Sequence, residues 1–209
     1  MQVSLRQLKK ERTRQLIADT ALRLFIERGY DQTTIDEIAT TAEVGTRTLY
    51  RYYPTKEDLL VKSARPGLRG LVECLRERPD DEPLAESLYM TLARFCVVIG
   101  AERQRGLELR GLIEAIPSVR ARVQDEIGAT RIDLAREIRR RLGVARTDAR
   151  PELAAGMLMV IVDFVVGSWA SGRRSPIRIA DEVVTLLAEG VVPLPMALSR
   201  PAASDTGYR

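Results

Sequence analysis

A short stretch of the chain, residues 44–60, concentrates side chains that can bind a polyanion through hydrogen bonds. Its sequence is VGTRTLYRYYPTKEDLL. Because successive residues of a helix are rotated by about 100°, the side chains of Arg47, Thr48 and Arg51 fall opposite those of Leu49 and Tyr53. Guanidinium groups form paired hydrogen bonds with guanine, and hydroxyl groups bind phosphate oxygens. The stretch therefore predicts a short helix that presents a polar strip to DNA.

Two further helices are predicted to hold this strip in place. Apolar residues recur at helical spacing from about residue 7 to residue 28, and Gly29 then ends the first helix. Thr33 or Thr34 can cap a second helix, since an acidic residue follows each of them three positions later. The second helix is expected to end near residues 41–43 and to lead through a turn into the third.

The end of the third helix and the start of the next one are marked by Pro54 and Thr55. Pro54 disfavours helical geometry in the preceding residue, and Thr55 can cap a new helix. Lys56 lies in the first turn of that helix, where a cation opposes the helix dipole, so an anionic partner is expected for it. On the third helix, Tyr50 is expected to be partly buried and Tyr52 to be more open.

The composition favours an all-helical protein and argues against most enzyme mechanisms. Of the 209 residues 45% are hydrophobic, and the net charge is +4 with all four lysines in the first 62 residues, which predicts a basic N-terminal arm. The chain has no histidine, the commonest general base and metal ligand, so no catalytic residue, metal site or cofactor is predicted. Cys74 and Cys96 lack metal-binding spacing and no secretory signal precedes them, so buried thiols and a cytoplasmic location are expected.

The remainder of the chain is predicted to form longer helices. Candidate segments separated by proline or glycine are 68–77, 83–100, 103–115, 118–142, 149–171 and 176–190. The apolar stretch Leu153–Ala170 contains Asp163, which favours a buried or interfacial helix over a membrane span. Residues 193–209 are rich in proline and small polar residues and are expected to lack stable structure.

The order and spacing of these features resemble the TetR family of transcriptional regulators. The resemblance covers Arg12–Leu60, about a quarter of the chain, and rests on Gly29-Tyr30, Thr33-Thr34-Ile35, Ile38-Ala39, Thr48-Leu49-Tyr50, Tyr53 and Lys56-Glu57-Asp58-Leu59-Leu60. Three residues depart from the family pattern, with Glu43 at a usual turn glycine, Gly45 at a frequent capping serine and Arg47 at a frequent glycine. Thr46 could replace the serine as cap.

The resemblance implies an all-α protein of two domains. An N-terminal three-helix DNA-binding domain with the basic arm would occupy residues 1–62, and its helix-turn-helix, at about 34–53, would place the third helix in the major groove. A larger helical domain for effector binding and dimerisation would occupy residues 63–192. The residues implied to contact double-stranded DNA are Thr34, Thr46, Arg47, Thr48, Tyr50, Arg51, Tyr52 and Lys56. Among them, Thr34, Tyr52 and Lys56 would bind phosphates.

The same resemblance implies a homodimeric repressor that a small, largely apolar effector releases from a palindromic operator. The protomers would pair through the helices near 149–171 and 176–190. The candidate effector-binding residues are Leu92, Phe95, Leu109, Leu112, Ile113, Glu114, Met157, Ile161, Asp163 and Phe164. Among them, Asp163 is notable because a carboxylate within an apolar run is costly unless it is paired or faces water.

Two other functions stay open at this stage. An architectural or nucleoid-associated DNA-binding protein would bind a protein partner through its C-terminal domain and would have a solid core there. A helical-bundle enzyme is more remote, because it requires acidic or nucleophilic groups that converge in a cleft. A metal ion held by Glu114 and Asp163 in one cavity would favour the enzyme.

Overall fold

Helices account for almost all of the chain that the computed structural model describes, which is residues 4–172 and 174–190. Within these residues there are nine helices and no strands, and the all-α prediction is confirmed. The helices are α1 (Leu5–Arg28), α2 (Ile35–Thr41), α3 (Thr46–Tyr52), α4 (Lys56–Glu77), α5 (Leu84–Ala101), α6 (Arg103–Ala115), α7 (Pro117–Leu142), α8 (Arg150–Ser171) and α9 (Pro176–Ala188). The segment 193–209, predicted to be unstructured, lies outside the described residues.

Two hydrophobic clusters divide the molecule. The first lies among α1, α2, α3 and the start of α4, with Phe25, Ile38 and Leu49 at its centre. The second lies among α4, α5, α7, α8 and α9, and includes Leu92 and Trp169. We call α1–α3 with the first turns of α4 the head, and the remaining helices the body.

Helices α4 and α7 take part in both clusters. Leu59 of α4 and Val119 of α7 lie in the first cluster, whereas Leu75 and Ile138 of the same helices lie in the second. Residue numbers rise together along the two helices, so α4 and α7 run parallel. Their packing joins the head to the body.

Ion pairs follow the same parallel register between α4 and α7. Asp58 pairs with Arg122, Arg65 with Glu126, and Arg76 with Glu137. Glu137 is buried, and it also pairs with Arg140 at 2.7 Å and with Arg141 at 3.8 Å. The far end of Arg141 donates hydrogen bonds to main-chain carbonyl groups at the end of α4, including that of Leu75 at 3.2 Å.

Helix α4 continues through Pro66, although the sequence predicted a separate helix over 68–77. A proline inside a helix removes one hydrogen bond and costs about 3 kcal/mol. Here the residues on both sides of Pro66 are held by burial, Leu59–Val61 in the first cluster and Leu71–Leu75 around the second. The boundary predicted between residues 62 and 63 falls inside this helix.

The basic residues near the N-terminus belong to α1 and do not form a separate arm. Lys9, Lys10 and Arg12 are exposed on that helix, and Arg14 is half-buried. The described part of the predicted arm is therefore helical.

Two helices of the body, Leu84–Ala101 and Arg150–Ser171, are long and apolar enough to cross a membrane by length and composition alone. Both pack into the body through one side. In α8 the buried side includes Leu158, Val162 and Trp169. The opposite side of α8 carries large apolar residues at exposed positions, which are Leu153 (64% exposed), Met157 (55%), Val160 (69%) and Phe164 (55%). We call these four residues the α8 stripe.

The junction between head and body is closed by a hydrogen-bonded group at the start of α4. Thr55 caps α4 and forms a capping box with Asp58, as predicted. Arg122 of α7 donates hydrogen bonds to the Asp58 carboxylate at 2.5 Å and to the Thr55 hydroxyl at 3.0 Å. Burial raises the pKa of the Asp58 carboxyl, but hydrogen bonds from Thr55 and Arg122 outweigh burial and lower this pKa below its usual value.

We predict that Asp58→Asn lowers the free energy of unfolding at pH 7 by about 2 kcal/mol, because hydrogen bonds to charged groups contribute about 1.5 to 3 kcal/mol. The folded-state pKa of Asp58 lies below the unfolded value of about 3.9. The stabilisation is therefore complete above about pH 4 and is lost as the pH falls through the folded-state pKa. In urea unfolding between pH 7 and pH 2, the free energy of unfolding should fall less with decreasing pH in the variant than in the parent chain.

Asp81→Asn is the matched control, because Asp81 is exposed and forms no ion pair within the described residues. This control should leave unchanged the fall in the free energy of unfolding at low pH. Identical profiles for the two variants would contradict a special contribution from Asp58.

Candidate nucleic-acid interface

The second helix begins with the predicted capping box, and Thr34 is the residue that forms it. The Thr34 hydroxyl accepts a hydrogen bond from the Glu37 N–H at 3.2 Å and donates one to the Glu37 carboxylate at 3.0 Å. These bonds occupy the hydroxyl group that was predicted to bind phosphate. Thr33, the alternative cap, is buried, and its hydroxyl lies within hydrogen-bonding distance of the carbonyl oxygens of Leu24 and Gly29.

The turn between α2 and α3 places Glu43 in the left-handed region, with φ at 53°. The Val44 N–H donates to the Ala39 carbonyl at 2.9 Å, and the Glu43 N–H donates to the Thr40 carbonyl at 3.1 Å. This pair of bonds is a Schellman motif, which usually has glycine at the left-handed position. The departure from the family glycine at this position therefore carries backbone strain.

Helix α3 starts from Gly45, which caps it without a side-chain hydrogen bond. The expectation that Thr46 replaces the family serine as cap was wrong, since Thr46 is the first residue of the helix. Its hydroxyl donates a hydrogen bond to the Asp36 carboxylate at 3.0 Å. That bond ties the start of α3 to α2 and leaves the Thr46 hydroxyl oxygen only as an acceptor.

The outer side of α3 presents the predicted polar strip to solvent. Arg47, Tyr50 and Arg51 are exposed and Thr48 is half-buried, whereas Leu49 is fully buried opposite them. Arg47 has no ion pair or aromatic contact within the described residues. Arg47 is therefore free to form new hydrogen bonds.

The two tyrosines at positions 50 and 52 have the reverse of their expected exposures. Tyr50 is 49% exposed, and Tyr52 is only 9% exposed. Helical rotation explains the result, because Tyr52 lies about 60° from Leu49 around the axis and Tyr50 about 100°. The ring of Tyr52 is covered by the guanidinium groups of Arg14 and Arg51, at 5.5 and 5.2 Å from its centroid. The structure therefore contradicts the prediction of an open Tyr52.

The end of α3 is fixed by contacts of Tyr53 and Lys62 that the sequence did not predict. The hydroxyl of buried Tyr53 donates to the Arg14 carbonyl at 3.0 Å, and burial raises its pKa to about 12. The Lys62 ammonium donates to the Tyr52 carbonyl and lies 4.9 Å from the Tyr53 ring centroid. Lys62 therefore supplies a cation at the C-terminus of α3, where the helix dipole favours one.

Lys56 contacts aromatic rings where an anionic partner was expected. Its ammonium group lies 4.3 Å from the ring centroid of Tyr30 and 5.8 Å from that of Phe25. It also donates a hydrogen bond of 3.5 Å to the Asp31 carbonyl. These contacts hold Lys56 beside the loop between α1 and α2, and it forms no ion pair within the described part of the chain.

The predicted effector-binding residues do not line one cavity. Leu92 and Phe95 are buried in the second cluster and Ile161 packs against it, whereas Leu109, Leu112 and Ile113 pack against the first cluster. Met157, Asp163 and Phe164 are exposed on α8, because successive residues of a helix turn away from its buried side. Glu114 is exposed and pairs with Arg110 at 2.7 Å.

The depressions found on the described residues lie elsewhere and are open to solvent. A groove of about 670 Å³ lies between α7 and the start of α8, and a smaller one of about 360 Å³ lies between α1 and α6. None of the predicted effector residues lines either groove. No group of three or more histidine, cysteine, aspartate or glutamate side chains that could hold a metal occurs within residues 4–172 and 174–190.

A capped second helix, a tight turn and a short third helix with an exposed cationic side define a helix-turn-helix DNA-binding protein. Residues 17–62 match the family model described as bacterial regulatory proteins, tetR family. This segment is similar to the N-terminal DNA-binding domain of the TetR family of transcriptional regulators. The chain is a DNA-binding regulator, and the resemblance inferred from the sequence is confirmed.

Relatives with regulatory names support this assignment. The chain is 29% identical over 175 residues to the HTH-type transcriptional regulator TcmR of Streptomyces glaucescens, covering 79% of this chain and 76% of TcmR. It is 34% identical over 79 residues to IcaR of Staphylococcus epidermidis, a negative transcriptional regulator of the biofilm operon icaADBC, covering 38% of this chain and 43% of IcaR.

A solved structure extends the similarity in fold to the body. FadR from Bacillus subtilis in complex with stearoyl-CoA superposes with a TM-score of 0.62 at 20% identity, covering 84% of this chain and 98% of that one. At this identity the likeness concerns the fold. The helices of the body, which the family model does not match, are arranged as in FadR.

We predict that Glu43→Gly raises the free energy of unfolding by about 0.5 to 1 kcal/mol. The left-handed conformation costs a non-glycine residue about 1 to 2 kcal/mol, and the greater freedom of glycine in the unfolded chain offsets part of the gain. Urea unfolding at neutral pH measures the difference. Glu43→Gln, which removes the charge and keeps the strain, is the control, and equal stabilisation by both substitutions would assign the effect to charge.

Proposed function

We propose that the protein is a homodimeric repressor that binds a palindromic operator through the outer side of α3 in each protomer. The observation that carries the proposal is the exposed cationic strip on a helix fixed at both ends. Arg47 and Arg51 are assigned to guanine edges, with Thr48 and Tyr50 beside them. A guanidinium that binds guanine through two hydrogen bonds discriminates against other bases by about 1 to 3 kcal/mol.

The other predicted DNA contacts have more limited roles in this proposal. Thr34 and Thr46 hold the start of α2 and of α3 through their hydrogen bonds to Glu37 and Asp36. While these bonds hold, neither hydroxyl group has a proton to donate to a phosphate oxygen. Lys56 binds phosphate only if its ammonium leaves the Tyr30 ring, and Tyr52 acts mainly by positioning Arg51.

The partner of the α8 stripe is, in our proposal, the same stripe and the adjacent α9 of a second copy. Four large apolar side chains recur along one side of the helix and remain exposed in the protomer. Burial of apolar surface contributes about 25 cal/mol per Å², and two-fold pairing would cover the stripe of each protomer. A dimer also supplies two α3 helices, which matches the two half-sites of a palindrome.

The proposed control of DNA binding is a small, largely apolar effector held in the body. Of the predicted contacts, Leu92, Phe95 and Ile161 share the second cluster and are retained as candidates. An effector can shift DNA affinity only if it binds two arrangements of the protein unequally. Such a regulator acts on DNA in the cytoplasm and requires no catalytic site.

The position of the grooves favours a second candidate, an architectural DNA-binding protein whose body binds a protein partner. Both grooves described above are open to solvent, and none of the predicted effector residues lines either of them. Sequence preference separates the two candidates. A repressor protects defined palindromes, whereas an architectural protein binds DNA with little preference.

We expect genome-wide footprinting of the parent protein to yield a palindromic motif, and Arg47→Ala to relax preference at one base pair of each half-site. The loss per half-site should be about 1 to 3 kcal/mol. Arg69→Ala on α4 is the matched control, since Arg69 is exposed on the body and forms no ion pair within the described residues. An unchanged motif with Arg47→Ala would refute the assignment of the strip.

We expect Val160→Glu, at the centre of the α8 stripe, to convert the dimer to a monomer in sedimentation equilibrium. Operator affinity should then fall by about a hundredfold or more, because the two heads lose their linkage. Val97→Glu on α5 introduces the same charge at an apolar side chain of similar exposure, 66%. If Val97→Glu dissociates the dimer and Val160→Glu does not, the interface lies on α5.

A further inference from the structure

The groove between α7 and the start of α8 is rich in arginine and lies outside the DNA-binding strip. Its volume is about 670 Å³, within the range of about 300 to 1,000 Å³ typical of small-molecule sites. Its walls are formed by residues of α7, of the following loop and of α8. The lining residues are Arg131, Ile132, Ala135, Arg136, Arg139, Arg146 and Glu152.

The charges in this groove are unbalanced. Four guanidinium groups face one carboxylate, and that carboxylate, Glu152, is paired with Arg139. Arg136 pairs with Asp133 on its own helix. Arg131 and Arg146 have no ion pair or hydrogen bond from their side chains within the described residues. The groove therefore holds at least two uncompensated cations.

A buried donor in the groove also lacks an acceptor. The Nε atom of Arg139 is shielded from solvent and has no hydrogen-bond partner, while the side chain as a whole is only 22% exposed. A buried donor without a partner costs about 1 to 3 kcal/mol. The pair with Glu152 therefore leaves the Arg139 guanidinium with unused hydrogen-bonding capacity.

The chemistry of the lining distinguishes among anions. Guanidinium groups bind phosphate and carboxylate oxygens through pairs of parallel hydrogen bonds. Several of them around one groove suit a ligand with more than one negative oxygen group, and the apolar side chains of Ile132 and Ala135 suit a ligand with an organic part.

We propose that this groove binds a small molecule bearing a diphosphate or several phosphate groups, separately from the DNA and from the apolar effector. The guanidinium groups of Arg131, Arg139 and Arg146 bind the phosphate oxygens, and Glu152 holds Arg139 in place. The phosphate groups could come from a nucleotide or from inorganic pyrophosphate, which share this recognition chemistry.

The test is isothermal titration of the full chain with sodium pyrophosphate and, separately, with ADP, both without DNA and at constant ionic strength. Saturable binding of either probe supports the proposal. Binding of both indicates recognition of the diphosphate alone, and binding of ADP alone indicates a nucleotide ligand. If neither probe binds, because the partner protomer covers the groove or for any other cause, the proposal is overturned.

Two double variants distinguish binding in this groove from nonspecific electrostatic attraction of the probe to a basic protein. Arg131→Gln combined with Arg146→Gln should weaken probe binding by about tenfold or more, since each loses a charged hydrogen bond. Both side chains are exposed and without ion pairs within the described residues, so the fold should be retained. Arg69→Gln combined with Arg120→Gln removes the same charge from exposed positions outside the groove and should leave binding unchanged.

A third variant, Arg139→Lys, keeps the charge beside Glu152 and removes the planar guanidinium. It should weaken binding with little change in melting temperature, because an ammonium cannot form the paired hydrogen bonds. If both double variants weaken binding equally, or if Arg139→Lys and the groove double variant bind as the parent does, the groove is not the site. Operator binding is measured separately, so failure here leaves the proposed repressor function standing.

Discussion

The packing of α4 against α7 is the constraint on which the rest of the structure depends. Each helix enters both hydrophobic clusters, so the packing of the two helices fixes the position of one cluster relative to the other. The parallel register is marked at one end by Asp58 with Arg122, and at the other by the buried Glu137 with Arg76 and by Arg141, which donates to the Leu75 carbonyl. Removing one partner from a buried pair leaves an uncompensated charge. Sliding of α4 along α7 is therefore opposed at both ends of the contact.

This constraint reaches the DNA-binding strip through α4. Lys62 of α4 donates to the last carbonyl of α3, and its ammonium lies over the ring of Tyr53. Tyr53 in turn donates to α1. The short helix α3 buries only Leu49 and Tyr52 and could not hold its own orientation by packing alone. Its direction relative to the body is set by the helix that follows it, and its outer side remains free for contact.

Local features of the site could be predicted from the sequence, and long-range ones could not. Both capping boxes, at Thr34 and Thr55, and the inward position of Leu49 depend on residues within a few positions of one another. The sequence predicted the reverse of the observed exposures of Tyr50 and Tyr52, because both residues flank the polar strip. Cations from two helices cover the ring of Tyr52 only. Arg122 lies 64 residues from Asp58, and no spacing rule connects them. The continuation of α4 through Pro66 likewise depends on tertiary packing, which overrides local propensity.

A second connection between head and body runs through α6, which combines partly buried apolar side chains with polar contacts. No residue of α6 (Arg103–Ala115) is fully buried. Arg105 pairs with Asp19 of α1 at 2.5 Å, and Arg103 donates to the Trp169 carbonyl at the end of α8. Gly106 permits close approach, because a Cβ atom there would lie 2.9 Å from the Trp169 ring. Partly exposed ion pairs contribute about 0 to 1 kcal/mol and are screened by salt. The ion pair of α6 can therefore rearrange at small cost, while α4 and α7 hold the register between head and body.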